Sequence, residues 1–361
     1  MKLGFKILLT AILLSSANIF AQIGGNGTYA FLKIPATARI EGLGGNIVSL
    51  YDNDLSIVNS NPANLNSDMN NQVVMSFNSY FANIGQGYFA YSKSWKKIGS
   101  FYAGFQFLNY GDFVRTDEVG NIQGTFSAGD YAFNVGYSRP FFDSLMYIGA
   151  TVKMIGSQYA EYNSFGLTTD LGISYVSRNK LTTVSAVFRN LGGTLDPYEK
   201  GHYEAAAPEI HLGVSQGFKH VPLKLFLTFT NLQRPDLSYV DPATRFQTDA
   251  LTGDTIDTKI GAGLVLLRHF TIGAELFPFK KHLFIRVAYN FLRSGEMAVS
   301  ALNGAVGLSY GIGIRISHFT FSYSRSQYFV NESPNHFTLN VNLDGFFKTK
   351  RVKKENVPTI Q

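Results

Sequence analysis

Alternation of side-chain character, repeated in segment after segment, is the feature that most limits what this chain can become. From Val73 one face reads Val73, Met75, Phe77, Ser79, Phe81, and from Phe101 it reads Phe101, Ala103, Phe105, Phe107. Residues 130 to 139 set Tyr131, Phe133, Val135 and Tyr137 against Ala132, Asn134, Gly136 and Ser138. The same holds at 145 to 157, where Met146, Ile148, Ala150, Val152 and Met154 oppose Tyr147, Gly149, Thr151 and Lys153. At 164 to 176, Phe165, Leu167, Thr169, Leu171, Ile173 and Tyr175 oppose Ser164, Gly166, Thr168, Asp170, Gly172 and Ser174. A period of two marks strands with two unlike faces.

Two all-β solutions could use such strands. A soluble sandwich buries its aromatics and covers its outer face with charge, above all lysine. A transmembrane barrel turns apolar side chains and aromatic belts outward to lipid and lines its interior with polar residues. Here the polar face is small as well as polar, and the apolar face often carries an aromatic near a strand end. Only 16% of the residues are charged, beside 31 Phe, 20 Tyr and 35 Gly. That is too little charge to cover a sandwich, so a membrane barrel is expected. No stretch after the first residues reaches 18 apolar positions, so no helix is expected to span a bilayer.

Strand number provides a check. Fifteen candidates can be drawn, at 72 to 82, 86 to 95, 99 to 109, 130 to 139, 145 to 157, 164 to 176, 181 to 190, 209 to 217, 222 to 231, 258 to 267, 269 to 277, 283 to 291, 304 to 316, 318 to 328 and 336 to 343. Bacterial single-chain barrels have an even number, with short periplasmic turns and longer outer loops. Alternation of long and short connections runs correctly from both ends only if 258 to 267, TKIGAGLVLL, is demoted to part of a long outer excursion. The expectation is a 14-stranded antiparallel transmembrane β-barrel over residues 72 to 343.

Outside the barrel the chain divides readily. Lys2 and Lys6 precede an apolar run from Ile7 to Leu14, with Ala21 before Gln22; this reads as a signal peptide over 1 to 21 and export across an inner membrane. Residues 22 to 71 lack alternation and carry glycine pairs, asparagines and a short helical patch from Ala36 to Leu43. They are expected to plug the lumen as a hatch, because glycine on an inward strand face marks the close approach of another backbone; a periplasmic arm is the alternative. Residues 344 to 361 form a periplasmic tail with five basic residues against Asp344 and Glu355, read as a solvated end or a dock for an acidic partner. Without the signal and the tail the charge is nearly balanced, and no basic stripe interleaved with aromatics points to nucleic acid.

Candidate chemistry is sparse. Residues 307 to 311, GLSYG, match the G-x-S-x-G elbow of serine hydrolases, and 213 to 217, GVSQG, match it again. An elbow needs a sharp strand-to-helix turn with a histidine and an acid following, whereas alternation places Ser309 and Ser215 mid-strand on the lumen face. Cysteine is absent, which excludes disulfides and thiolate metal sites. The seven histidines form no metal-ligand spacing, and His220, His282 and His318 fall at expected turns. Asp52 and Asp54 lack the glycine and distal glutamate of a calcium loop and read as turn or capping residues. No phosphate loop is found, and neither a cofactor nor a catalytic residue is expected.

The stretch GGNGTYAFLKIPATARIEGLGGNIVSLYDNDLSIVNSNPANLN, with LRHFTIGAEL and RVAYNFLRSGEM downstream, resembles the PorQ family. These are barrels of the FadL-like superfamily, related to PorV, that serve type IX secretion systems of Bacteroidetes. The most specific elements are Gly44 and Gly45 of LGG, and Asn61, Pro62 and Ala63 of NPA, which form the hatch motif. One departure is the run Leu292, Arg293, Ser294, Gly295, Glu296, Met297, where the family pattern carries a basic pair followed by Glu-Leu. The resemblance implies a non-catalytic outer-membrane subunit of an attachment complex, working beside PorU and PorV and anchoring a PorZ-like surface protein. Outer loops 110 to 129, 191 to 208 and 232 to 268 would form its docking face. The alternative is a FadL-like transporter of hydrophobic small molecules.

Overall fold

The computed structural model describes residues 27–80, 83–142, 145–237, 246–248, 255–257, 260–279, 282–297, 305–328 and 333–347. The expected signal peptide and most of the basic tail lie outside them.

Fourteen strands close into an antiparallel barrel. They are β1 (Gln72–Ser79), β2 (Gly85–Trp95), β3 (Gly99–Thr116), β4 (Ile122–Phe141), β5 (Met146–Tyr159), β6 (Tyr162–Val176), β7 (Thr182–Asp196), β8 (Glu209–Gly217), β9 (Leu223–Phe229), β12 (Phe270–Leu276), β13 (Leu283–Asn290), β14 (Leu308–Ile316), β15 (Phe319–Ser326) and β16 (Asn335–Asn342). Each pairs with its sequence neighbour, and β1 seals the ring against β16 from Gln72↔Asn342 to Ser79↔Asn335. Closure leaves no unpaired edge inside the bilayer, where an unsatisfied N–H or C=O costs several kcal/mol.

The demoted segment behaves as expected. β9 pairs directly with β12, and the excursion between them holds a small ribbon of β10 (Phe246–Thr248) and β11 (Thr255–Asp257). Residues Ala262–Arg268 form helix α2 rather than a strand. Three strands run well past the alternation: β7 continues to Asp196, and β3 and β4 stay paired to Thr116↔Ile122, past register shifts at Asn109/Asp112 and Arg115/Thr116. The strand expected at 304 to 316 is shorter, starting at Leu308 after Gly307 takes a φ of 92°.

Face assignment follows the alternation. Met75, Phe105, Tyr131, Phe133, Leu171, Ile173, Ile312 and Phe337 are exposed on the outer wall, where hydrocarbon is their solvent. Ser174, Thr228, Thr271, Ser309 and Ser324 are buried on the inner wall.

The buried interior is supplied by the hatch, described from residue 27. Ile40, Leu43, Ile47, Leu50, Leu55 and Ile57 cluster against Val74, Tyr88, Tyr102 and Phe226 of the wall. Phe31 and Leu32 form a second cluster with Leu108, Ala132 and Ile155. The expected helical patch is a single short helix, α1 (Ala38–Gly42). Helices α3 (Phe291–Met297) and α4 (Asp344–Phe347) follow β13 and β16.

Candidate functional site

Two regions carry features beyond those of a plain barrel: the seat of the hatch, and the rim at the end opposite the short turns and the barrel's chain ends.

The hatch motif residues are joints between hatch and wall. Helix α1 is too short to satisfy its own ends, since the first N–H groups and last carbonyls of any helix lack internal partners. The wall supplies one: Ala38 N–H donates to Thr338 Oγ1 of β16 at 2.8 Å. At the other end Gly44 and Gly45 turn left-handed, with φ of 92° and 88°, and their N–H groups return to Glu41 and Ile40 carbonyls at 2.9 Å. A side chain is excluded there twice over, because a Cβ on Gly44 would lie 2.5 Å from Thr271 Cγ2 and the backbone favours glycine. Asn61 caps the 3-10 turn of Pro62–Asn64, accepting from Ala63 N–H at 3.0 Å. Its Nδ2 donates to the Val48 carbonyl at 2.9 Å and to Ser174 Oγ of β6 at 3.2 Å.

Inward strand glycines make room for this contact. A Cβ on Gly149 would fall 2.4 Å from the Pro62 carbonyl carbon, and one on Gly172 would fall 2.1 Å from Asn61 Oδ1. Glycine on the inward face does mark where the hatch backbone touches the wall.

Charge pins the same seat. Arg39 of α1 reaches Asp54 at 3.0 Å and Asp52 at 2.6 Å within the hatch, and Glu275 of β12 at 2.9 Å. Arg286 of β13 meets the same Glu275 at 2.7 Å. Burial raises the Asp52 carboxyl, but Arg39 outweighs it and holds the group at about 2. Asp54 also accepts from Ser56 N–H at 3.0 Å, so the capping role expected of the Asp pair is present, joined by ion pairs that spacing did not reveal. A second pin crosses from Glu41 to Arg293 of α3 at 2.9 Å, with the guanidinium lying 4.0 Å over the Tyr328 ring. For Glu41 too burial raises the carboxyl, and Arg293 brings it below its ordinary value. Arg293 stands in the run where the sequence departs from the family pattern. A third group joins Lys33 of the hatch to Glu209 at 3.5 Å and Arg189 to the Leu32 carbonyl at 3.0 Å.

Both elbow-like serines serve this seat. Ser309 Oγ accepts from Arg293 at 3.2 Å and from Ser326 Oγ at 2.7 Å; Ser215 Oγ donates to the Ser49 carbonyl at 2.8 Å. Each sits in an unbroken strand, β14 or β8, without a strand-to-helix turn. His220, His282 and His318 lie at short turns as expected, whereas His211, His269 and His336 are buried inside.

At the rim, β3 and β4 rise beyond their neighbours. β2 pairs with β3 only as far as Asn109, and β5 meets β4 only from Ala128. Residues 112–127 therefore stand as a two-stranded ribbon. Phe113 stacks on Phe126 with centroids 5.4 Å apart, and Arg115 pairs with Glu161 at 2.6 Å. At the tip, Asp117 accepts from the Asn121 side-chain amide at 2.9 Å and from Asn121 and Val119 N–H at 2.7 and 3.0 Å; these hydrogen bonds, that of the Asn121 side chain first, hold its carboxyl below the ordinary value. Phe113, Val114, Val119 and Ile122 are exposed, Val119 by 87%. Beside the ribbon, buried Asp130 accepts from Tyr110 and Tyr159 hydroxyls at 2.7 and 3.0 Å. Of the expected docking loops, 110 to 129 is this ribbon, 191 to 208 extends β7 and bridges back at Gly193↔Ala205, and 232 to 268 is described only in part.

No family model matches the sequence, and curated proteins return no match. Among solved structures, the toluene transporter TodX of Pseudomonas putida aligns with a TM-score of 0.51 at 12% identity, covering 85% of this chain and 96% of its own. A FadL homologue of Pseudomonas aeruginosa aligns at 0.47 and 11% identity, over 85% of this chain and 98% of its own. At such identities the likeness is one of architecture, and the chain has the FadL-like outer-membrane barrel fold.

Proposed function

We propose that this chain is a non-catalytic outer-membrane subunit of a type IX secretion attachment complex, which anchors a PorZ-like surface protein beside PorU and PorV through its outer loops. The observation that carries the reading is the bolted hatch: three charged groups tie hatch to wall, and inward glycines seat its backbone. A plug fixed at so many points leaves the rim as the working surface, where the 112–127 ribbon presents exposed apolar side chains on a rigid base. The family resemblance of the hatch motif supports the same reading.

The second reading is transport of a hydrophobic small molecule, favoured by the shared fold with TodX. A lumen filled by the hatch, which packs on apolar wall residues and is tied by ion pairs, argues against passage of greasy cargo. Deleting the gene separates the two. Loss of many surface-attached proteins together supports the secretion subunit; normal attachment with impaired growth on a hydrophobic nutrient supports transport. Affinity purification from detergent-solubilised outer membranes should recover the surface partner.

A further inference from the structure

At the periplasmic end, between the hatch, the wall of β8, β9, β13 and β14 and the adjoining short turns, lies an open cavity of about 740 Å³. Small-molecule sites have volumes of roughly 300–1,000 Å³, with apolar walls and a few convergent polar groups. This cavity has such walls in Phe218, Phe277 and Phe284, and charged groups in Lys180, Lys219 and Arg315.

The charge is unbalanced. Asp52, which also lines the cavity, is taken up by Arg39, and Lys224 lies within its electrostatic reach. Asp54 and Glu275 are likewise committed to Arg39 and Arg286. Arg315 has a different setting: its guanidinium lies 5.2 Å over the Phe284 ring and donates to Thr320 Oγ1 at 3.1 Å. Among the described residues, Arg315, Lys180 and Lys219 make no ion pair, and Asp68 is the remaining carboxylate in the lining. A guanidinium held against an aromatic face, with donors left over, is suited to a planar or tetrahedral oxyanion. The aromatic wall beside it suits an apolar body.

We propose that this cup binds a small amphipathic oxyanion from the periplasm, a carboxylate or phosphate carried on an aromatic or short alkyl body. The charged end lies against Arg315, Lys180 and Lys219, and the body lies against Phe218, Phe277 and Phe284. This site is independent of the rim reading above, and its occupancy is readable without any surface partner.

The test is calorimetric titration of the purified full chain in an uncharged detergent with benzoate, phenyl phosphate, benzyl alcohol and inorganic phosphate. Saturable binding of benzoate or phenyl phosphate is expected, at least about tenfold tighter than benzyl alcohol or inorganic phosphate, and weakened by salt. Which of the two binds more tightly distinguishes carboxylate from phosphate. Lys180→Gln/Lys219→Gln, at exposed turns, should weaken binding severalfold, and Arg315→Gln by about tenfold. The proposal is overturned if neither anion binds, if neutral alcohol or bare phosphate binds as well, or if Lys180→Gln/Lys219→Gln, folded by its gel mobility, leaves affinity unchanged.

Discussion

Arg39, on a five-residue helix inside the lumen, meets the Glu275 carboxylate of the barrel wall through two nitrogens, Nε at 3.2 Å and Nη2 at 2.9 Å, across 236 positions of sequence. Both side chains are almost fully buried. Bidentate geometry of this kind fixes orientation as well as distance, so the pair sets how the hatch sits.

Removal of Arg39 and of Glu275 should be non-additive. Arg39→Ala leaves Asp52, Asp54 and Glu275 without their shared cation, and stranding a buried charge costs about 3–5 kcal/mol. The double variant Arg39→Gln/Glu275→Gln still leaves Asp52 and Asp54 without Arg39 and Arg286 without Glu275, so it should cost less than the sum of Arg39→Gln and Glu275→Gln but more than either alone. Urea unfolding in detergent, run as a double-mutant cycle, measures the coupling; additive losses would show that the pair does not act as a unit.

Acid should loosen the same seat. Asp52 is held at about 2 against an ordinary 3.8, so its contribution to stability is complete above the ordinary value and disappears as pH falls toward about 2. Stability of the wild type should therefore drop over that window. Asp52→Asn should lower stability at neutral pH and flatten the acid limb, as followed by unfolding at a series of pH values.

Glycine substitutions test the fit of the hatch backbone. Gly149→Ala puts a methyl 2.4 Å from the Pro62 carbonyl carbon, while Gly156→Ala meets nothing within 4 Å. Overpacking of this sort costs about 1–3 kcal/mol. Limited proteolysis should cut the hatch faster in Gly149→Ala and at the wild-type rate in Gly156→Ala; equal rates would refute the seating.

Ser309→Ala separates joint from nucleophile. It should cost about 1 kcal/mol through its two hydrogen bonds and leave surface attachment intact. A stable variant that had lost attachment would point to chemistry at this serine.

Replacing residues 112–127 by a short turn should leave a folded, heat-modifiable barrel that no longer co-purifies with the proposed surface partner. Retained co-purification would move the docking face to 191–208 or to the 232–268 excursion.

Barrel and strand number were legible because lipid on one side and a filled lumen on the other impose a period of two on every spanning segment. Even TKIGAGLVLL could be set aside by loop parity, and Gly149 and Gly172 announced the hatch contact. The charged pins were not legible. Arg39 and Glu275 are distant in the chain, and one sequence carries no sign of which acid a given arginine meets. The ribbon was missed because Phe113, Val114 and Ile122 stand above the bilayer, where neither solvent imposes a face; the ladder there is held by Phe113 on Phe126 and the capped turn at Asp117.

The wall is uneven in height. β9 and β12 have seven residues each, whereas β3 and β4 have 18 and 20. Past Asn109, the seven further residues to Thr116 give an upright of about 23 Å at roughly 3.3 Å per residue. Whatever grips its tip stands off the lipid by up to that distance and on one bearing around the barrel, since a closed ring of paired strands prevents the upright from drifting to another azimuth.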